Sequence, residues 1–349
     1  MKVKLNGLKI PHIATCLPKK VVPMSTYEKF FSAKDIKRII ESTGVESVHV
    51  ADENLCSSDY YAETAKKLMY EGNFKPDDFD GIVMVFQTPD YNIPTAATIM
   101  QDRLGLPKDT VAFEINYGCT GYIYGIYQAS LLVSSGSCRR VLVFTGDTHV
   151  RTLHEEDRAN RMILGDGFAV TIVERGEDEF AFEIFSDGSG YKQIIIEAGG
   201  FRMPKSEKTS EPIIDAEGNT HRLEYTFMDG MAIMNFSLKQ VPPLIEDSLK
   251  FVGWEKNSVG LFALHQANGL ILDFLRRRIK VEPERCPIAM KNIGNTAGSS
   301  IPLMLSLCHE NFSENQLEKV LMCGFGVGLS LGTAAVNLSK TKIYDTWEF

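Results

Sequence analysis

Val111-Ala112-Phe113-Glu114-Ile115-Asn116-Tyr117-Gly118-Cys119-Thr120-Gly121, with the apolar run that continues from it to Ser134, decides how this chain is read. Val111–Ile115 has the β-branched and aromatic content of a short strand, and Gly121–Ser134 is long and apolar enough for a buried helix. Gly118 and Gly121 allow a sharp turn between them. Val141-Leu142-Val143-Phe144-Thr145 then reads as the next strand. Strand, helix and strand in this order predict a crossover unit and a mainly parallel sheet.

The same alternation extends in both directions. Upstream, Gly81–Phe86 is a buried-strand run closed by the turn signal Thr88-Pro89-Asp90, and a helix is expected from Ile93 to Leu104 with Pro94 in its first turn. Downstream, Gly165-Asp166-Gly167 precedes a strand at Phe168–Val173. Residues 174 to about 222 are more polar, and they are expected to form an irregular lobe because aromatic and β-branched residues persist in them. From Met228 the order resumes: helix to Phe251, strand Val259–Leu264, helix Leu270–Ile279, and a strand near Ile288–Met290. A helix after Pro302, the strand Lys319–Cys323 and a glycine-rich turn with a last strand complete it. The repeated order predicts an internal duplication, with halves at 1–173 and 174–349.

At 349 residues, 44% hydrophobic and 23% charged, the chain is globular in composition, which removes disorder, collagen and coiled coil. Its net charge of −8 makes it a poor general binder of nucleic acid or anionic membrane. Seven scattered cysteines, an odd number with no CxxC pair, argue against a disulfide framework or a zinc site. The N-terminal stretch has charges inside its apolar segment, and no run approaches a membrane span. A cytoplasmic protein with no metal, nucleic-acid or membrane partner is expected.

Three polar residues follow apolar strands. Cys119 stands at the start of the helix, where unpaired N–H groups favour thiolate over thiol. The competing reading is a small buried hydrophobe. His265 ends Val259–Leu264 in His265-Gln266-Ala267-Asn268, at the sheet edge where open α/β folds put their sites. Asn295 lies in Asn292-Ile293-Gly294-Asn295-Thr296-Ala297-Gly298, where a plain turn asparagine is the alternative. Gly324-Phe325-Gly326-Val327-Gly328 is glycine-dense but has Leu331 where a dinucleotide fingerprint needs its third glycine.

Taken together and in this order, these motifs closely resemble the β-ketoacyl-acyl-carrier-protein synthase III family over nearly the whole chain. Further matches are Thr43-Gly44-Val45 with His49-Val50-Ala51, Thr88-Pro89-Asp90 with Ile93-Pro94, Asp157-Arg158 with Gly165-Asp166-Gly167, and Met228-Asp229-Gly230. The resemblance implies an α/β thiolase fold, two duplicated halves stacked as α-β-α-β-α layers. It implies that Cys119 takes an acyl group from a thioester, acyl-CoA or acyl-carrier protein. His265 and Asn295 would then bind malonyl-acyl-carrier protein and stabilise the enolate formed as carbon dioxide leaves. The backbone N–H groups of Cys119 and Val327 match the family's oxyanion hole. Phe325 matches the aromatic that screens the cysteine, Ile93 a residue shaping the acyl pocket, and Arg158 an arginine that contacts coenzyme A. The resemblance also implies a homodimer that needs no cofactor beyond its substrates and meets an acyl-carrier protein as partner.

A thiolase would have Gly-His-Pro where Gly294-Asn295-Thr296 stands. Cys323 is expected to pack in the core. The family's adenine-stacking tryptophan falls at Arg38, which points to a primer delivered on a carrier protein, and Arg276-Arg277-Arg278-Ile279-Lys280 is a candidate dock for it. Two alternatives stand beside condensation. One is transfer of the acyl group from Cys119 to an oxygen or nitrogen nucleophile, and the other is a non-catalytic partner or scaffold subunit.

Overall fold

The computed structural model describes residues 1–215 and 218–349. Its main strands are β1 (Lys2–Leu17), β2 (Gly81–Val85), β3 (Val111–Ile115), β4 (Arg140–Asp147), β5 (Gly167–Ser186), β6 (Leu261–Leu264), β7 (Val320–Gly326) and β8 (Ser330–Val336). Its main helices are α1 (Ser57–Glu71), α2 (Ala96–Arg103), α3 (Gly121–Ser134), α4 (Gly230–Val252), α5 (Gly269–Ile279) and α6 (Ser300–Cys308).

The pairing repeats. In the first half β2 lies parallel to β3 and β4, β4 is antiparallel to residues 167–174 of β5, and these are antiparallel to residues 12–16 of β1. In the second half β6 is parallel to β7, β7 is antiparallel to β8, and β8 is antiparallel to residues 181–186 of β5. One long strand therefore closes the first sheet and continues into the second.

Alternation along these strands builds five layers. Ile82 and Met84 of β2 pack outward with Tyr61 and Leu68 of α1 and Met100 of α2, whereas Val83 and Val85 face Ile123 and Ile126 of α3. Val320 and Met322 of β7 face the same central helices, α3 and α6, while Leu321, Cys323 and Phe325 pack outward on Leu244 of α4 and Leu272 and Leu275 of α5. Strands covered on both faces are apolar at successive positions, which is why β2 and β7 read as unbroken runs. The fold is the thiolase fold. Cys323 is fully buried in the outer core, as expected.

Several expected elements differ. The expected irregular lobe does not begin at 174, because Glu174–Ser186 continues β5. Its polar texture comes from cross-strand ion pairs with β1: Lys9–Glu174 at 2.8 Å, Lys4–Glu179 at 2.9 Å and Lys2–Glu183 at 3.3 Å. The irregular part starts at Asp187 and runs to Asp229, and its described residues form two-residue strands and two short 3-10 turns. The helix expected from Ile93 starts at Ala96, capped by Thr95. No strand forms at 288–290. There the Gln266 side chain accepts from Ala289 N–H at 2.9 Å and donates to the Pro287 carbonyl at 3.3 Å, taking backbone groups that a neighbouring strand would use.

Candidate functional site

The ends of β2, β4 and β7 and the loops leading into α3 and α6 converge on one cavity. It is lined by Cys119, Asn295, Ala297 and Val327 from the core and by Ile194, Ile195, Ile196, Thr226 and Met228 from the irregular lobe. Both halves contribute, as expected of a site at the carboxyl ends of the strands.

Cys119 lies two residues before α3. Burial pushes its thiol up to about 11, against the pull of the backbone N–H groups of Val327 and of Cys119 itself; Asp147 adds to the rise. The helix end therefore does not yield a resting thiolate, as the sequence had suggested, because desolvation of the sulfur outweighs its N–H donors. Gly326, at φ +148, lets the β7 turn approach: a Cβ there would meet the Cys119 Cβ at 2.7 Å and Sγ at 2.8 Å. Gly118 also keeps this turn narrow, since its Cβ would lie 2.4 Å from Gln87 Oε1 and 3.0 Å from Val327 Cγ1, side-chain atoms that would have to move.

Asn295 is held by its own backbone. Its N–H donates to the Ile163 carbonyl at 2.8 Å and its carbonyl accepts from Gly165 N–H at 3.0 Å. Gly165 has room only as glycine, since a Cβ would come within 2.3 Å of the Ile293 carbonyl, which accounts for the Gly165-Asp166-Gly167 motif. The Asn295 side-chain oxygen accepts from Ala297 N–H at 2.9 Å. That fixes the amide orientation and leaves the NH2 group as the donor available to the cavity.

His265 follows β6, 1% exposed, with its ring held against Ala297. Its Nδ1 lies 2.6 Å from Ser300 Oγ. Ser300 Oγ also accepts from Gln266 N–H at 3.3 Å, and in the tautomer in which its own proton goes to Nδ1 the ring carries its proton on Nε2. Burial lowers the imidazole to about 3, a hydrogen bond to the Ala297 backbone opposing it. The ring is therefore a neutral donor across the working pH range.

The remaining expected contacts fall elsewhere. Ile93 does not line the cavity of the single chain; it lies in the turn before α2 and is 86% exposed. Arg158 opens a four-residue helical turn capped by Asp157, and its N–H donates to Asn219 Oδ1 at 2.9 Å. Phe325 shares the outward parity of Leu321 and Cys323, so it packs into the outer core with its ring edge-on to His265 at 5.3 Å instead of lining the cavity. Sequence reasoning missed Ser300, Asp147 and His149. The last two carried a signal, an acid and a histidine in Gly146-Asp147-Thr148-His149 after the apolar run Val141–Thr145. The trio His309, Glu310 and Asp345, the metal-capable cluster among the described residues, lies outside the cavity. No helix among the described residues is long and apolar enough to cross a membrane.

Comparison with known proteins gives the same outline. Residues 113–188 match the family model described as 3-oxoacyl-[acyl-carrier-protein] synthase III, and residues 249–338 its C-terminal counterpart. A β-ketoacyl-[acyl-carrier-protein] synthase III of Caldanaerobacter subterraneus is 30% identical over 93% of this chain and 96% of its own length. The crystal structure of a 3-oxoacyl-(acyl-carrier protein) synthase from Burkholderia xenovorans superposes with a TM-score of 0.91 at 31% identity, covering 100% of this chain and 99% of that one. A second, of a 3-oxoacyl-(acyl-carrier-protein) synthase III, gives 0.90 at 34% identity over 95% and 99%.

Proposed function

The chain belongs to the β-ketoacyl-acyl-carrier-protein synthase III family, and on that premise we propose that it is an acyltransferase using an acyl-Cys119 intermediate. It joins an acyl thioester primer to malonyl-acyl-carrier protein, with loss of carbon dioxide, in fatty-acid or related acyl-chain synthesis. The observation that carries this reading is the Cys119 thiol and the free Asn295 amide on one cavity, with the neutral His265 ring buried against Ala297 of its lining.

Each group has a task its surroundings suit. Cys119 Sγ attacks the primer carbonyl, and the thiol proton leaves with the departing thiolate. The N–H groups of Cys119 and Val327, which already face the sulfur, receive the developing oxyanion. Malonyl thioester then places its carbonyl oxygen between His265 Nε2–H and the Asn295 NH2. As carbon dioxide leaves, the electron pair becomes an enolate that these donors stabilise. The enolate attacks the acyl-Cys119 carbonyl and expels the sulfur, giving a β-ketoacyl thioester. Because decarboxylation makes the carbanion, no base has to remove a proton from carbon. A neutral histidine suits that role.

The homodimer belongs to the same reading. Strand β3 is the open edge of its sheet, with Val111 37% exposed in the single chain, and Ile93 stands exposed in a nearby connection. An apolar open edge favours strand addition by a second copy.

Incubation with acyl-CoA and acyl-carrier-protein donors, followed by intact mass, tests the reading. A mass gain on Cys119 that Cys119→Ala lacks supports acyl transfer. Carbon dioxide release on adding malonyl-acyl-carrier protein supports condensation, and acyl transfer to an alcohol or amine without that release favours the alternative chemistry. No adduct with any donor would sink the enzyme reading.

A further inference from the structure

One part of the cavity is poorly suited to a plain hydrocarbon chain. Beside its isoleucines it is lined by Gln87, Thr88, Asn116, His149, Thr152 and Thr226. His149 stands two residues beyond β4, and its Nε2 lies 3.2 Å from Asp147 Oδ2. The Asp147 side chain is fully buried. Its other oxygen, Oδ1, accepts from Gln87 N–H at 2.6 Å, Thr88 N–H at 2.9 Å and the Thr88 hydroxyl at 2.9 Å. The carboxylate is therefore anchored at one oxygen, and the second is aimed at the imidazole. Thr152 fixes the backbone beneath it, donating to the His149 carbonyl at 2.8 Å and pairing with the Thr226 hydroxyl at 2.8 Å.

Burying a histidine–carboxylate pair costs stability relative to apolar packing. The pair is unnecessary for the chemistry assigned to Cys119, His265 and Asn295. Burial draws the His149 imidazole down, and the carboxylates of Asp147 and Asp166 more than offset this, so the ring lies above its ordinary value. His149 Nε2 and Asp147 Oδ2 face each other as a buried charge pair and have no other hydrogen-bond partner among the described residues, which leaves Nδ1 as the ring nitrogen open to a ligand. His149 and the cysteine line the same cavity.

We propose that His149, oriented by Asp147, is a specificity-determining residue that donates from Nδ1 to an oxygen on the acyl chain, so that the favoured primer is a hydroxy- or oxoacyl thioester rather than a plain alkanoyl one. A chain ending in carboxylate fits less well. Asp147 already places a carboxylate beside the ring, and the cavity lining contains no lysine or arginine. Gln87 and Asn116, whose side chains are joined at 3.2 Å, and the two threonines offer further hydrogen bonds to the same oxygen-bearing chain.

This rests on acyl loading of Cys119, and the test separates the two. Loading rates on Cys119 are measured by intact mass for hexanoyl, 3-hydroxyhexanoyl and 5-hydroxyhexanoyl pantetheine thioesters, with wild type, His149→Leu and His149→Gln. Wild type is expected to favour one hydroxyacyl donor over hexanoyl by about tenfold or more, as for a hydrogen bond from a charged donor. His149→Leu is expected to bring that ratio to about one or below, and His149→Gln to keep part of it. A ratio between donors within one protein does not depend on how much of a variant folds. Equal or better loading of hexanoyl by wild type would overturn the proposal, as would a ratio unchanged in His149→Leu. Loading without selectivity removes only this inference; no loading by any donor removes the acyl-enzyme reading beneath it.

Discussion

The two halves of the molecule use one backbone plan for opposite chemistry. The strands β2, β4, residues 167–174 of β5 and residues 12–16 of β1 match β6, β7, β8 and residues 181–186 of β5 in order and sense. In the first half the loop into the central helix α3 presents Cys119, an electron-pair donor. In the second the loop into α6 presents Asn295, whose free NH2 offers only protons. After β2 stand Gln87 and Thr88, and after the matching β6 stand His265 and Gln266. Duplication supplies equivalent positions at the carboxyl ends of the strands, and the side chains at those positions divide the work between nucleophile and electrophilic support.

The sharpest way to break this division is Cys119→Ala. Acyl loading and condensation should both fall below detection by intact mass and product assay, while carbon dioxide release from malonyl thioester persists because the donors of the second half are intact. Simultaneous loss of that release would refute separate roles.

Next come the second-half donors. His265→Ala and Asn295→Ala should each slow decarboxylation by roughly 10²–10³, the usual cost of removing one donor to a developing oxyanion, yet leave acyl loading of Cys119 measurable. Equal loss of loading would place these residues in the first step as well.

Gly326→Ala tests the closeness of the halves. A Cβ 2.7 Å from the Cys119 Cβ, at φ +148, should cost about 1–3 kcal/mol of local strain and appear as a lower loading rate together with a lower melting temperature. A change in one without the other would mean that the turn relaxes away from the cysteine.

A milder effect is expected for Ser300→Ala. It leaves His265 Nδ1 without its hydroxyl, an unmet hydrogen bond worth about 1–3 kcal/mol, and should slow decarboxylation by roughly tenfold or more with little change in loading.

The remaining effects concern pH. The buried Cys119 thiol, at about 11, should react with iodoacetamide about tenfold faster per pH unit between 7 and 9, without a plateau. A plateau near neutrality would mean a resting thiolate. His265, lowered by burial to about 3, works in the opposite sense. Unfolded chain takes up its proton near 6.5 and the native state does not, so stability is full above 6.5 and is lost as pH falls toward 3. Melting temperature against pH should carry this acid limb, and His265→Gln should flatten it.

Strand ends were legible in the chain, and so therefore were Cys119, His265 and Asn295, each a polar residue or glycine-rich turn directly after an apolar run. Less legible was β5. Its middle, Glu174 to Glu179, is charged because it crosses between the sheets against the lysines of β1, and such charges look like a loop when the partner strand lies 160 or more residues away in sequence. The absent strand at 288–290 was hidden for a related reason: a single side chain, Gln266, replaced a ladder. Ile93 and Phe325 were placed by resemblance, but strand parity and exposure put both outside the single-chain cavity.

Sequence by itself determined the alternation of strands and helices, the duplicated order and the three residues that end on the sheet edge, because periodicity and turn chemistry are local properties of a chain. Only the tertiary structure decided that Ser300 orients His265, that Asp147 orients His149 beside the cysteine, and that the Cys119 thiol rests protonated. Those facts depend on which distant groups meet and on how much water their meeting excludes, and neither quantity is written in the spacing of residues along a chain.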